Sequence, residues 1–491
     1  MKLGIIFRML GAMLIFLSVA MFSCLLVALF YRENIFPFLY AISLTLAVGS
    51  FLRYFFRKAN EEEISHLEGF AIAALTWFLA SLFAGLPAYF AHIFDGGLID
   101  AYFESVSGFT GTGSTVLRDI EAVPKGILFW RALTQWLGGM GMIVLAVALL
   151  PSMSLGGMRL FRAEVPGPTK EKIAPRIKDT AKILWGVYTL LTLMETLLLV
   201  TGGMTFYEAL THSLTTLPTG GYSIKNNSIA AYDSPFLQWV IIIFMFLGGV
   251  NFTLHYVAII RGKLLSYARD SEFWFYTFII LTASLSISVS LYFGNYFNRD
   301  ISEIFRQAVF QVVSMMTTTG YASADFDIWP DFTKILLIFL PIVGGCVGST
   351  GGGFKVMRIM LLIKYAYNSI VERIYPKAVN IVKINGSPVL KEILSEINSL
   401  FFMGITFIFG ATLLISAIEP NIDILTSFTA AITTTFGVGP GLNMVGPTQN
   451  FSFFSPLSKF IFSSLMILGR LEFFSVLVFL VALFKKVKKI K

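Results

Sequence analysis

Four short segments carry the chemistry of this chain. Asp100–Val116 (DAYFESVSGFTGTGSTV), Glu208–Ile224 (EALTHSLTTLPTGGYSI), Gln307–Ser323 (QAVFQVVSMMTTTGYAS) and Thr426–Leu442 (TSFTAAITTTFGVGPGL) align without a gap. Each begins with helix-compatible residues, passes through Thr, Ser or Gly, and reaches a glycine at the same place: Gly113, Gly221, Gly320 and Gly439. These residues point to coordination rather than catalysis. If four short helices meet around an axis, the extended residues after each can turn their carbonyl oxygens inward, and a ring of carbonyls replaces the hydration shell of an alkali cation. Glycine accepts the backbone angles this needs and puts no side chain in the lumen. Short helices entering from outside would also aim their partly negative C-terminal ends at the cation. The candidate coordinating residues are Gly111, Thr112 and Gly113; Thr219, Gly220 and Gly221; Thr318, Thr319 and Gly320; and Gly437, Val438 and Gly439. The second segment has two adjacent glycines; the register favours Gly221 and leaves Gly220 open. The alternative, tight loops with incidental glycines, leaves the common register unexplained.

The elements that must position these segments are membrane spans. Of the 491 residues, 56% are hydrophobic and only 13% are charged, and the mean hydropathy is +0.76. Soluble domains are about a quarter charged. Apolar runs long enough to cross a bilayer, about 20 residues each, fall near 5–30, 34–56, 70–93, 127–150, 183–203, 235–260, 274–294, 333–366, 399–418 and 458–484. The even number puts both termini on one side. The 5–30 run is read as a retained span, since no small-residue cleavage site follows it. The connection 151–182 carries seven lysines and arginines and the tail KKVKKIK five more, against two between Ser114 and Gly126. The positive-inside bias then places the termini and the 151–182 connection in the cytoplasm. The net charge of +8 comes from basic residues at span ends, so no nucleic-acid partner is implied. Cys24 and Cys346 lie in apolar surroundings and imply no disulfide framework.

The expected fold is therefore an all-α polytopic membrane protein with two N-terminal transmembrane helices (1–69) and four span–short helix–span units. These cover 70–150 (short helix 100–112), 183–260 (206–219), 274–366 (303–318) and 399–484 (424–437), with a basic tail at 485–491. Non-helical backbone at membrane depth is tolerated only when buried in protein or lining a watery cavity.

Two further features stand out. GGCVGSTGGGFKVMR, Gly344–Arg358, breaks the eighth span with six glycines before Phe354. It is no phosphate-binding loop, because Phe354 precedes Lys355 and the Gly-Lys-Ser/Thr ending is missing. Either these glycines (Gly344, Gly345, Gly348, Gly351, Gly352 and Gly353, with Ser349 and Thr350) form an intramembrane loop that moves below the ring, or they pack helices. Arg470 lies deep in the last span, where a charge is expensive without a partner. It binds the 344–353 loop, or it pairs with Glu195 in the fifth span; Glu472 lies too close in sequence to face the same way on a helix. Lys355 is expected to snorkel to the interface. Glu104, His212, Gln311 and Ala430 or its neighbour share one register position and are candidates to anchor the short helices.

The chain resembles the TrkH family within the superfamily of bacterial, fungal and plant potassium transporters. WLGGMGMIVLAVALLPS (Trp136–Ser152), GGVNFTLHY (Gly248–Tyr256), GGCVGSTGGGFKVMR and LGRLEFF (Leu468–Phe474) look like its signatures in the second span of each unit. The two extra N-terminal spans also resemble TrkH. The resemblance implies a potassium-uptake pore subunit of the bacterial inner membrane, a homodimer, working with a cytoplasmic nucleotide-binding ring protein, TrkA. It also implies that the 344–353 loop is the gate, with Lys355 beside it and Arg470 holding it. No cofactor is expected in this chain, potassium being the substrate, and nucleotide is expected on the partner. The basic faces at 151–182, 261–269, 355–391 and 485–491 are its expected docking surface. Only the third segment reads Thr-Gly-Tyr, close to a potassium-channel filter, so an asymmetric ring is expected. Symport with protons or sodium, using Glu195 or Glu104, is the rival transport reading. The spans show no metal-ligand cluster, no Ser/His/Asp set and no paired catalytic carboxylates, which argues against an enzyme.

Overall fold

The computed structural model describes residues 3–59, 66–149, 177–376, 381–473, 476–478 and 481. The expected basic docking faces at 151–176 and 485–491 lie outside them. Among the described residues, six helices are long and apolar enough to cross a membrane: Leu3–Phe30, Phe36–Phe55, Glu68–Phe90, Ala181–Thr201, Ser271–Phe293 and Lys391–Ile418. They correspond to the two N-terminal spans and the first span of each expected unit. The chain is largely helical, as expected of a polytopic membrane protein.

Between longer helices lie four short ones, Leu98–Thr110, Phe206–Thr216, Ile301–Met316 and Ile424–Phe436. Three have side-chain N-caps that satisfy amides no helical carbonyl can reach. Thr205 forms a reciprocal capping box with Glu208, Asp300 accepts from the Ser302 and Glu303 amides, and Asp423 accepts from Thr426. They end at Thr110, Thr216, Met316 and Phe436 rather than at 112, 219, 318 and 437, and within one to three residues the chain turns left-handed, at Gly111, Thr219, Thr318 and Gly437.

The second spans differ from expectation. Apolarity alone foretells straight helices over 235–260 and 458–484 and a break only in the eighth span. Instead Pro235–Gly248 and Phe252–Ile259 meet at 105°. Asn251 starts the second piece by accepting from the Thr253 amide at 2.8 Å. The loop between Asp331–Val343 and Val356–Ile374 fills that break: Cys346 N donates to Gly249 O (2.8 Å), Thr350 N to Gly248 O (3.3 Å), and Phe252 N to Gly348 O (3.1 Å). Two broken spans thus satisfy each other's freed backbone groups, which is what permits a break at membrane depth. In the last span the helix Pro456–Arg470 ends at Arg470, Glu472 (φ 54°) and Phe473 (φ 55°) turn the chain, and residues 476–478 are helical again.

The short helices and second spans pack in cyclic order. Lys125–Leu149 lies on the second short helix, Pro235–Gly248 on the third, Asp331–Val343 on the fourth, and Pro456–Arg470 on the first. The closing contact carries an ion pair, Lys459 Nζ to Asp100 Oδ1 at 2.7 Å, with both side chains buried. Removing one partner of such a pair strands a charge and costs about 3–5 kcal/mol. Lys459→Met alone should therefore lower the denaturation midpoint sharply, and Asp100→Leu with Lys459→Met should recover most of the loss, as read by thermal unfolding in detergent.

A small hairpin, Lys383–Ile384 paired with Ser387–Pro388, was not foreseen. It turns at Asn385 (φ 46°) and Gly386 (φ 80°), the Asn-Gly pair suited to a two-residue hairpin turn. Val382 and Ile384 cluster with Met357, Met360, Leu361, Ile393 and Leu394.

Candidate functional site

Each short helix ends the same way. The amide of the residue after the left-handed position donates five residues back: Thr112 to Ser107 O (2.9 Å), Gly220 to Thr215 O (2.9 Å), Thr319 to Ser314 O (2.8 Å) and Val438 to Thr433 O (2.9 Å). This is the Schellman closure of a helix. Glycine holds its left-handed position in the first and fourth segments. Thr219 and Thr318 hold it in the other two, at a cost of about 1–2 kcal/mol each. One ordinary residue follows, then a second left-handed one: Gly113 (φ 82°), Gly221 (φ 73°), Gly320 (φ 80°) and Gly439 (φ 94°). Gly220 does not share that conformation; Gly221 does.

The four glycines face one another in a closed cycle. A Cβ on Gly113 would strike Gly220 O, one on Gly221 would strike Thr319 O, one on Gly320 would strike Val438 O, and one on Gly439 would come within 2.9 Å of Thr112 O. Each segment therefore presents a carbonyl to its neighbour's glycine, in the order first–second–third–fourth–first. Among the backbone carbonyls of the twelve candidate residues, only Gly220 O and Gly439 O accept a hydrogen bond from the described residues, from Gln135 Nε2 (2.6 Å) and Ser114 Oγ (3.3 Å). Buried carbonyls normally find a donor. So many open oxygens on converging backbones make a site able to receive a cation.

Side chains fix the extended residues to their own helices from the shared register position. Glu104 accepts from the Thr115 hydroxyl (2.9 Å) and the Val116 amide (2.9 Å). His212 Nε2 meets Ser223 Oγ at 3.2 Å, and Gln311 Nε2 donates to Ser323 Oγ at 3.4 Å. In the fourth segment the anchor is Ala430's neighbour, Thr429, which accepts from the Leu442 amide at 3.1 Å.

Sequence reasoning missed Arg131 and Gln135. Arg131 Nε donates to Glu104 at 2.6 Å, its Nη1 to Ser223 O at 2.9 Å, and its guanidinium lies 3.4 Å over the Tyr222 ring. It ties the first segment to the second. Its signal was available: a charge inside an apolar run, as at Arg470.

Two hollows flank the cycle. One of about 100 Å³ is lined by all four glycines with Arg131, Tyr222 and Asn226. On the other side a smaller hollow is lined by Thr110, Thr112, Gly437, Gly351–Gly353, Lys355, Arg470 and Glu472. The 344–353 loop thus lies directly under the cycle. Gly352 N donates to Thr318 Oγ1 at 2.6 Å, and Thr350 Oγ1 donates to Leu217 O at 2.9 Å. Gly344, Gly348 and Gly353 take positive φ, and Ser349 caps back onto Cys346 O at 2.6 Å. Gly345 lies against Gly249 O.

Arg470 Nη1 donates to Thr350 O at 2.9 Å. Gly469 makes this reach possible, since any side chain there would strike Thr435 O. No bond joins Arg470 to Glu195, neither of whose oxygens is hydrogen-bonded among the described residues. Two expectations are corrected. Lys355 does not snorkel to the interface: it is buried, with Nζ on Gly351 O. Glu472 does share the hollow with Arg470, because the helix ends between them, and it pairs with Arg358 at 2.7 Å.

The sequence profile of the TrkH family, described as cation transport protein, matches residues 34–488. The chain is 38% identical over 473 residues to the Trk system potassium uptake protein TrkH of Salmonella typhimurium, covering 96% of this chain and 97% of the relative. It is 36% identical over 488 residues to TrkH of Vibrio parahaemolyticus, covering 99% of each. The crystal structure of the potassium transporter TrkH from Vibrio parahaemolyticus superposes with a TM-score of 0.89 at 34% identity, over 97% of this chain and 98% of that one. A cyclic set of open carbonyls inside a helical membrane chain, with likeness in sequence and structure that runs along nearly the whole chain, has one family reading: the chain belongs to the TrkH family of cation transport proteins.

Proposed function

We propose that the chain is the pore subunit of a potassium uptake system, channel-like in mechanism, with the four glycine segments as four units around one selectivity filter. The observation that carries this reading is the cycle in which each segment sets a carbonyl against the next segment's glycine, with most of those oxygens open. Dehydrated potassium would supply the partners they lack. The relatives are named as potassium uptake proteins, and transport rather than catalysis accounts for the site.

The 344–353 loop is the gate of this reading. It lies under the cycle, and Arg470 holds it by the bond to Thr350 O while placing a positive charge on the cation's path. The chain sits in the bacterial inner membrane with both termini cytoplasmic, as a homodimer. A TrkA-like nucleotide-binding ring docks on the cytoplasmic face and favours the open loop only insofar as it binds the two states unequally.

One observation keeps a second reading alive. Glu195 is fully buried with neither oxygen hydrogen-bonded among the described residues, which suits a coupling proton or sodium ion. Glu104 is already committed to Arg131. The deciding measurement is the current of the reconstituted chain. A passive pore reverses at the potassium equilibrium potential whatever the proton and sodium gradients, whereas symport shifts the reversal with them. Rubidium flux absent under every partner condition would remove both readings.

A further inference from the structure

A loop that moves must also be held at its ends. Glu272 is the second residue of the Ser271–Phe293 helix and is buried. Its Oε1 accepts two backbone amides, Val347 at 2.8 Å and Met357 at 3.0 Å. Val347 lies within the glycine-rich loop, before Gly348, and Met357 lies in the first turn of the helix that follows it. One carboxylate oxygen thus pins the loop on both sides of Gly348–Gly353. Bonds to an ionised acceptor are about twice as strong as neutral ones, so this is a strong attachment for a segment with few side chains.

The same helix end is tied to the surface hairpin. Asp270, its N-cap, accepts from the Phe273 amide at 2.7 Å and from Asn385 Nδ2 at 3.4 Å. Asn385 Oδ1 in turn accepts from the Ser271 amide at 3.2 Å. Asn385 is the exposed turn residue of the 383–388 hairpin, whose Ile384 clusters with Met357, Met360 and Leu361. Displacing the hairpin therefore reaches the loop by two routes: through Asp270 and Ser271 to Glu272, and through the apolar cluster to Met357.

We infer that Glu272 is the latch of the 344–353 loop, a positioning residue that holds it in its closed arrangement, and that the 383–388 hairpin is the arm whose displacement releases it. This rests on reading the loop as a gate. Glu272 touches no permeating ion; it acts through the two amides it holds.

The test is rubidium flux into vesicles containing the full chain without a partner. Glu272→Ala should raise the flux about tenfold while potassium-over-sodium discrimination stays at the wild-type value, because the closed state loses the charge-assisted bonds to Val347 and Met357 and the ring is untouched. Glu272→Gln keeps an oxygen able to accept both amides but loses the charge, so its flux should lie between the two, about threefold above wild type. Amide exchange across 344–357 should quicken most in the alanine variant. A merely structural role would lower flux in both variants and leave no such separation. If Arg470→Ala raises flux and Glu272→Ala does not, the latch is wrong and the gate stands. If neither raises it, the gate reading itself fails. Should Glu272→Ala not insert, Asn385→Ala at the exposed turn takes its place: a flux increase of about twofold or more supports the arm, and wild-type flux overturns it.

Discussion

Gly320→Ala should destroy discrimination between potassium and sodium and reduce rubidium flux at least about tenfold, in a protein that still inserts. The new Cβ has nowhere to go. At φ 80° the residue is left-handed, a cost of about 1–2 kcal/mol for any L side chain. The Cβ would also strike Val438 O and lie 2.9 Å from Pro440 Cδ. The obstructing atoms belong to the facing backbone, which cannot rotate aside as a flexible side chain can, so overpacking adds about 1–3 kcal/mol. Relief requires the third and fourth segments to separate, and separation changes the spacing of the carbonyls. Gly97→Ala is the internal control. Gly97 also has a positive φ (62°, with ψ −128°) but has nothing within 4 Å of its Cβ position, so its variant bears a backbone cost without a clash and should conduct as wild type. Wild-type selectivity in Gly320→Ala would remove the filter assignment.

Arg470→Ala carries the second large effect, of opposite sign: partner-free rubidium flux should rise about ten- to a hundredfold. A hydrogen bond to a charged group is worth about 1.5–3 kcal/mol, and one made only in the closed state shifts the open-to-closed ratio by that range. On the proposed gate reading the Arg470 bond to Thr350 O is such a bond, because it ties the last span to the loop beneath the cycle. Arg470→Lys is the informative companion. It keeps the charge in the hollow but lacks the guanidinium fork, so flux near wild type would assign the effect to charge, and flux near the alanine variant would assign it to the bond. No increase in either variant would dismiss Arg470 as a gate residue.

The parts of this architecture readable from residue types are those governed by neighbours in the chain. The register of Gly113, Gly221, Gly320 and Gly439 follows from the helix closure that precedes each, a local device. Local register favours Gly221 without excluding Gly220; the positive φ of Gly221 and the approach of Thr319 O from the next segment separate the two. The bend at Gly249–Asn251 had a visible cue, an Asn after paired glycines, but the carbonyls it frees are met by Cys346 and Thr350 about a hundred residues later. The break after Arg470 had no cue: Glu472 and Phe473 are ordinary residues in a left-handed conformation, held by tertiary context such as the Arg358 ion pair. Arg131, Gln135 and Glu272 escaped notice because their roles exist only across segments. The Asn385-Gly386 turn was readable and was masked by the basic, apolar stretch around it.

The buried pair between Asp100 and Lys459 also sets a timetable. The partners are separated by 359 positions, and chains lengthen at about 5–20 residues per second, so Lys459 leaves the ribosome roughly 20 to 70 s after Asp100. Through that interval the first short helix has its acidic side chain without its cation, and the first and fourth segments have no wall to close against. Closure of the cycle therefore waits for the final span, and a nascent chain stopped between the fourth segment and that span holds its segments but no completed ring.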